Sequence, residues 1–294
     1  MRILCVHAHF DDFEFVAAGT FERFRRVAGP GFRAKVLVCT DGRSEHHFRT
    51  REETARVRLS EQAAAAEIGG YEFERLSRPD GRPFGEARLL STDLLAALWK
   101  AIRDFEPDYL FCPPLPEDPR AGVHPDHITV AEAVRRIAYM VNVPHAYLDE
   151  YPTEDETRSK WVKTPVILNT YDGYMGAGGG RGPDFAIGVS DVFDQIVRQS
   201  WCHQSQIREW LPWVGRHEME PPADLAGWEA ALRGRFRRQR LGLGLGEGEP
   251  VEVFALTRWG ETVPREVLER DFPGLKWIET FPVSPTSPAG REGL

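Results

Sequence analysis

Two short stretches hold residue types that can carry out metal-assisted hydrolysis. The first is Ala8-His9-Phe10-Asp11-Asp12-Phe13-Glu14, and the second is Val123-His124-Pro125-Asp126-His127. A catalytic zinc asks for about three protein ligands with nitrogen or oxygen donors and an open position for water. A nearby carboxylate must take a proton from that water, and a donor must face the oxyanion that develops. His9, Asp12 and His127 can supply the ligands. Asp11, adjacent to a ligand but free of the metal, can be the base. His124, as an imidazolium, can stabilise the oxyanion and protonate the leaving amine. Zinc is the expected ion, and ferrous iron suits two imidazoles and a carboxylate equally well. Each stretch alone has a plainer reading, since adjacent aspartates after a strand commonly make a turn and a helix cap. The chemistry therefore depends on the fold bringing the two together.

The order of elements in the first half does so. Arg2–His7 is a short apolar run, and helical spacing of Phe15, Ala18, Phe21 and Phe24 follows over Phe15–Val27. Ala34–Thr40 reads as a second strand ended by Asp41-Gly42. Thr50–Ile68 reads as a helix closed by Gly69-Gly70, and Tyr71–Leu76 as a third strand. Ser91–Phe105 is a helix opened by a capping hydroxyl, Tyr109–Cys112 a fourth strand, and His127–Met140 a further helix. Strands alternating with helices of this length imply crossover connections, a mostly parallel sheet and helices on both of its faces. The expected fold is α/β, a Rossmann-like three-layer α/β/α sandwich. In such sheets ligands gather beyond the carboxyl ends of the strands. Both stretches follow strands, so both fall at that edge.

The second half is less regular. Pro165–Leu168, Phe185–Val189 and Val251–Leu256 read as strands and Asp191–Ser205 as a helix. Gly176–Gly182 is a glycine-rich loop that does not lead from strand to helix as a dinucleotide fingerprint would, and a loop over the site is the alternative to an ordinary connection. Arg233–Arg240 reads as a solvated basic helix face, and Trp201, Trp210 and Trp213 as core rings or as the wall of a sugar-sized pocket. The economical organisation is one domain over residues 1–282 with an elaborated C-terminal half, and a disordered Ser/Pro/Gly tail over 283–294.

The same residues carry a family resemblance. His9-Phe10-Asp11-Asp12-Phe13-Glu14 followed by Gly19-Thr20 resembles the H-P-D-D-x-E…G-T signature of the LmbE-like (PIG-L) deacetylases, and His124-Pro125-Asp126-His127 matches their H-P-D-H. Weaker matches follow in order: Arg58-x-x-Glu61 before Ala65 and Gly69, the Pro79-Asp80-Gly81 loop, His203-Gln204-Ser205-Gln206, and Val251–Phe254. The resemblance spans roughly residues 2 to 256. It implies a zinc-dependent N-deacetylase with His9, Asp12 and His127 as ligands, Asp11 as base and His124 at the tetrahedral intermediate. It implies, more loosely, substrate contacts from Arg58 and Asp80, with a helix-surface ion pair to Glu61 as the alternative for Arg58. Phe10 departs from the usual proline and Ala18 from a glycine, which places the expected difference in substrate shape. The substrate class implied is an N-acetylated amino sugar or its glycoside. Another N-acyl compound, such as a thiol-sugar conjugate or a glycosylated natural product, is the runner-up.

Composition bounds the rest. The 294 residues are 41% hydrophobic and 28% charged with a formal net charge of −8, which argues against nucleic acid as the main partner. No run approaches the roughly 20 apolar residues of a membrane span. Cys5, Cys39, Cys112 and Cys202 form no C-x-x-C pair and read as small buried hydrophobes, so the cytoplasm is the expected location. A homo-oligomer is compatible with the sequence. A two-metal phosphoesterase would need a second ligand set that the sequence does not offer. A non-catalytic sugar-binding protein would need neither Asp11 nor His124.

Overall fold

The computed structural model describes residues 1–89, 91–118, 120–176, 181–216 and 219–278. The first strands are β1 (Arg2–His7), β2 (Arg33–Val38), β3 (Glu72–Arg75), β4 (Tyr109–Cys112) and β5 (Val166–Asn169), each parallel to its neighbours in the order β3-β2-β1-β4-β5. The helices between them are α1 (Asp12–Val16), α2 (Ala18–Val27), α3 (Arg51–Gly69), α4 (Thr92–Phe105) and α5 (Pro125–Met140). The sheet continues β5-β7-β6-β8, with β6 (Phe185–Gly188), β7 (Val251–Leu256) and β8 (Leu275–Trp277) joined by antiparallel pairing. The C-terminal helices are α6 (Phe193–Trp201), α7 (Leu211–Val214), α8 (Leu225–Gly242) and α9 (Arg265–Asp271). The result is an eight-stranded α/β sandwich, parallel where the candidate ligands attach and antiparallel at its far end.

Strand alternation divides the core into two faces. Ile3 and Cys5 of β1 join Val36 and Val38 of β2 and Phe111 of β4 on one side, with α1, α2, α6 and α8 packed over them. Leu4, Val6, Leu37 and Leu110 point the other way, into Trp99 of α4 and Val130 and Val134 of α5. Near-continuous apolar strands are what a sheet covered on both faces requires. Cys5, Cys39 and Cys112 are buried as free thiols within it.

The caps at α3 and α4 follow sequence signals closely. Thr50 and Glu53 form a reciprocal capping box at α3, Gly70 ends that helix at φ 66°, and the Ser91 hydroxyl caps α4. Elsewhere the helices differ from expectation. The single helix expected over Phe15–Val27 is two, broken at Ala17. The cause is Glu252 of β7: its buried carboxylate accepts the Gly19 and Thr20 backbone N–H groups at 2.8 and 2.7 Å, so α2 starts afresh on an acidic cap. Gly19 is needed there, because a Cβ would meet Val189 at 2.7 Å and Ile196 at 2.8 Å. The helix expected over Asp191–Ser205 stops at Trp201, and a wide-turn segment, Ser205–Trp210, leads into α7. Helices α8 and α9 and strand β8 complete the second half. The 283–294 tail and the centre of the Gly176–Gly182 loop lie outside the described residues.

Glu252→Ala would strip two buried N–H groups of their partner, at ~1–3 kcal/mol each, against the relief of a buried carboxylate. The expected result is a loss of about 2 kcal/mol of unfolding free energy, read as a lower urea midpoint at unchanged slope. An unshifted midpoint would show that α2 needs no such cap.

Candidate metal centre

The two stretches meet at the carboxyl edge of β1 and β4. Asp12 opens α1, directly after the β1 loop, and His127 lies in the first turn of α5, which Pro125 starts and His124 caps. His9 Nδ1, Asp12 Oδ2 and His127 Nε2 form a near-equilateral triangle: His9 to Asp12 is 3.4 Å, His127 to Asp12 is 3.3 Å and His127 to His9 is 3.3 Å. A tetrahedral ion with bonds of about 2.0–2.1 Å separates its donors by roughly 3.3 Å. The donor set and its spacing fit such an ion. Two overlapping sets of donors also gather within 4.8 Å, His7 with Asp12 and His127, and His9 with Glu45 and His124. His7 Nδ1 stands only 2.7 Å from Asp12 Oδ2, a hydrogen-bond length too short for two ligands of one ion, so His7 orients Asp12.

The far nitrogens of both histidines are occupied by carboxylates. His9 Nε2 is 3.2 Å from Asp126 Oδ2, and His127 Nδ1 is 2.6 Å from Asp172 Oδ2. Such partners fix the tautomer and leave the other nitrogen for a metal. Asp126 itself is held by the Ala87 backbone N–H. The field at the triangle calls for positive charge. Burial lowers the His127 pKa, yet Asp12 and the hydrogen bonds to Asp12 and Asp172 outweigh it and push it up to about 10. Asp12, despite its own burial, is held well below the usual carboxylate range by His7 and His127.

Asp11 sits at φ 77°, a left-handed conformation rare outside glycine but open to aspartate and asparagine. A buried polar chain holds this turn. The Asp11 N–H donates to Gln62 Oε1 at 3.0 Å, Gln62 Nε2 donates to Glu14, and the Tyr71 hydroxyl donates to Glu14. Burial raises the Asp11 pKa to about 7, with Arg58 and His203 pulling it down.

Arg58 is a correction. It is fully buried, reaching Asp11 Oδ2 at 3.1 Å and the Phe10 carbonyl, with Glu61 at 3.4 Å. Its pair with Glu61 is therefore buried and not on the helix surface, and its guanidinium is turned to the Asp11 carboxylate. The second loose assignment also finds no support in the geometry. Asp80 is a solvent-facing residue whose carboxylate accepts from the Arg82 N–H and guanidinium, and among the described residues it has no tie to the triangle. Phe10 is buried, with its ring against Phe73, Arg58 and Gly42. His124 lies beside His9, ring centroids 4.5 Å apart, and its Nδ1 accepts the Asp126 N–H. With Nδ1 accepting, Nε2 is the nitrogen left to donate, and burial and the neighbouring His9 and His127 lower its pKa.

Four participants escaped the sequence: His7, Glu45, Asp126 and Asp172. Each follows a strand end or sits inside a motif already noted, and edge position was the available signal. Glu45 enters the site from the loop after β2, where its backbone carbonyl accepts from Gln206 and its carboxylate stands 3.9 Å from Arg58. Its neighbour His46 is instead taken up by Glu209. Ser205 donates twice to Glu61, so the His203–Gln206 segment braces the Arg58–Asp11 pair from outside. His47 stacks on Trp213 at 4.7 Å beside a shallow groove of about 380 Å³, lined also by Phe48 and Met219, which holds none of the triangle residues. Trp201 packs against the core.

Asp172→Asn should weaken metal binding by roughly 10–100-fold, as removal of an orienting carboxylate does. Competition against a chromophoric chelator measures it, and unchanged affinity would remove Asp172 from the site.

Residues 4–138 match the family model described as GlcNAc-PI de-N-acetylase, PIG-L. No curated protein sequence matches the chain significantly. Among solved structures, N,N'-diacetylchitobiose deacetylase from Pyrococcus horikoshii, determined with its inhibitor, is 18% identical with a TM-score of 0.63, over 88% of this chain and 84% of that one. A conserved protein from Thermus thermophilus is 20% identical with a TM-score of 0.57, over 90% and 97%. The 4-carboxy-2-hydroxymuconate hydratase of Pseudomonas putida is 19% identical with a TM-score of 0.57, over 90% and 99%. At these identities the likeness is one of fold. No described helix is long and apolar enough to cross a membrane. Residues 4–138, the stretch that matches the PIG-L (LmbE-like) family model, hold both motifs and all three donors of the triangle.

Proposed function

We propose that this protein hydrolyses an N-acyl amide, foremost an N-acetyl group on an amino sugar or glycoside, with His9, Asp12 and His127 holding one zinc or ferrous ion. The observation that carries this reading is the 3.3–3.4 Å donor triangle with Asp11 beside it and engaged elsewhere. A bound dication supplies Lewis-acid polarisation to water and to an acyl oxygen. Asp11 takes the proton of the attacking water. The His124 Nε2–H donates to the acyl oxygen as it gains charge, and Asp11 returns its proton to the departing nitrogen. Arg58 keeps the Asp11 carboxylate aimed throughout.

A shared fold does not choose the reaction, since a hydratase has it too. What favours amide hydrolysis is the match to a de-N-acetylase family. An amidase acting on another N-acyl compound would use the same residues and differ only in its pocket. The test is metal content alongside acetate release from N-acetylglucosamine and several of its glycosides. One metal per chain with release that a chelator abolishes supports the deacetylase. Metal without release from any sugar shifts the reading to another amide, and no metal after reconstitution sinks it.

A further inference from the structure

Helix α8 carries the arginine-rich run Arg233–Arg240, and most of it is used locally. Arg233 pairs with Glu229 and lies over the Phe193 ring, Arg237 pairs with Glu247, and Arg240 donates to the carbonyls of Leu245 and Gly246. Arg235 differs. Its guanidinium lies 4.6 Å from the centre of the Phe15 ring, and among the described residues no carboxylate forms an ion pair with it. Trp228, seven residues earlier and so on the same face of α8, meets that ring at 6.2 Å. This stripe of α8 is thus seated on α1. Phe15 lies one turn beyond Asp12 on α1, so Arg235 rests against the same short helix that carries Asp12.

Besides Tyr171, the charges that act on Arg235 belong to Asp11, Asp172 and Asp12, which are groups of the site itself. The side chain is solvent-accessible, yet the protein around it is dense enough for desolvation to depress its guanidinium pKa. An accessible cation laid over a buried aromatic ring has both properties. Held over an aromatic face with its fork unpaired, it keeps donors in the planar geometry that matches a carboxylate or phosphate.

We propose that Arg235 receives an anionic group, a carboxylate or a phosphate, that the substrate carries near its N-acyl nitrogen. Asp172 and Asp11 act on Arg235 electrostatically and, among the described residues, form no ion pair with it, so its donors are not spent on them. The word substrate rests on the hydrolytic reading above; the anion site does not.

The experiment runs binding and turnover in parallel on metal-loaded protein. Calorimetry compares glucosamine, glucosamine 6-phosphate and muramic acid, and acetate release compares N-acetylglucosamine, its 6-phosphate and N-acetylmuramic acid. The phosphate and carboxylate arms tell the two anion sources apart. The expected result is that one charged sugar binds roughly tenfold or more tightly than the neutral one, a preference that Arg235→Gln abolishes and Arg235→Lys partly keeps. No preference in the parent protein overturns the proposal. So does a preference that survives Arg235→Gln, which would assign the anion to the metal, or an equal loss for charged and neutral sugars, which would make Arg235 structural. An Arg235-dependent binding preference with no acetate release from any sugar would sustain the anion site and remove the deacetylase reading instead.

Discussion

Asp11→Asn should yield a folded protein that binds metal like the parent and releases acetate roughly 100- to 10,000-fold more slowly, the usual contribution of a positioned general base. Asparagine isolates the proton chemistry because it is nearly isosteric and tolerates the left-handed φ of 77° at this position. Its amide oxygen can still accept from Arg58, now 3.1 Å from the carboxylate, so the buried guanidinium is not orphaned outright. Asp11→Ala would confound the result, adding backbone strain and an unpaired buried cation. Arg58→Lys gives an internal comparison, since it retains charge and loses the fork whose Nη2 reaches Asp11 and the Phe10 carbonyl while Nη1 faces Glu61. It should lower kcat while the metal stays bound. Metal content and kcat measured on the same preparations decide the matter. An Asp11→Asn enzyme that keeps parental kcat would assign the base elsewhere, with Glu45 next in line because it gathers with His9 and His124.

What the sequence showed and hid divides along a physical line. The three donors were legible because each lies in a contiguous motif just after an apolar strand, and a parallel sheet sends every such strand end to one edge. The capping box at Thr50 and the Ser91 cap were legible because caps are local. The burial of Arg58 is not legible because its helix buries a polar stripe. Thr54, Arg58, Gln62 and Ala65 share the buried face of α3, and hydrophobic periodicity cannot reveal an inward face built from threonine, arginine and glutamine. That stripe is buried only because Asp11, Glu14 and His203 arrive from other elements to satisfy it. Asp172 and Glu45 stayed hidden for a related reason, since single carboxylates in loops carry no local pattern. The break at Ala17 depended on Glu252, more than 230 residues away. Arg235 was hidden within a charge run, where sequence cannot separate the arginine seated on α1 from Arg233 and Arg237, which pair with glutamates, or Arg240, which caps carbonyls.

Among single substitutions at the site, Asp12→Asn should have the largest effect on metal retention: a protein purified without metal and not reconstituted at concentrations that fill the parent. Four groups converge on Asp12 Oδ2, and they make different demands. His7 Nδ1 at 2.7 Å and the His9 backbone N–H at 2.8 Å hold the carboxylate in place. His9 Nδ1 and His127 Nε2, at 3.4 and 3.3 Å, share with it the space an ion would fill. An asparagine oxygen can keep the first two contacts, so the loop and α1 should survive and the fold with them. It cannot supply the negative charge that offsets a dication's loss of water, and it withdraws the field that draws positive charge to the two imidazoles. The loss should therefore exceed the 10–100-fold expected of Asp172→Asn, whose carboxylate only orients a ligand. Far-ultraviolet circular dichroism beside metal titration distinguishes the outcomes. A folded variant that binds metal as well as Asp172→Asn does would move the ion off the triangle, toward His9, Glu45 and His124. A folded variant that stays empty would leave the triangle as the metal site, with Asp12 as the ligand whose charge holds the ion there.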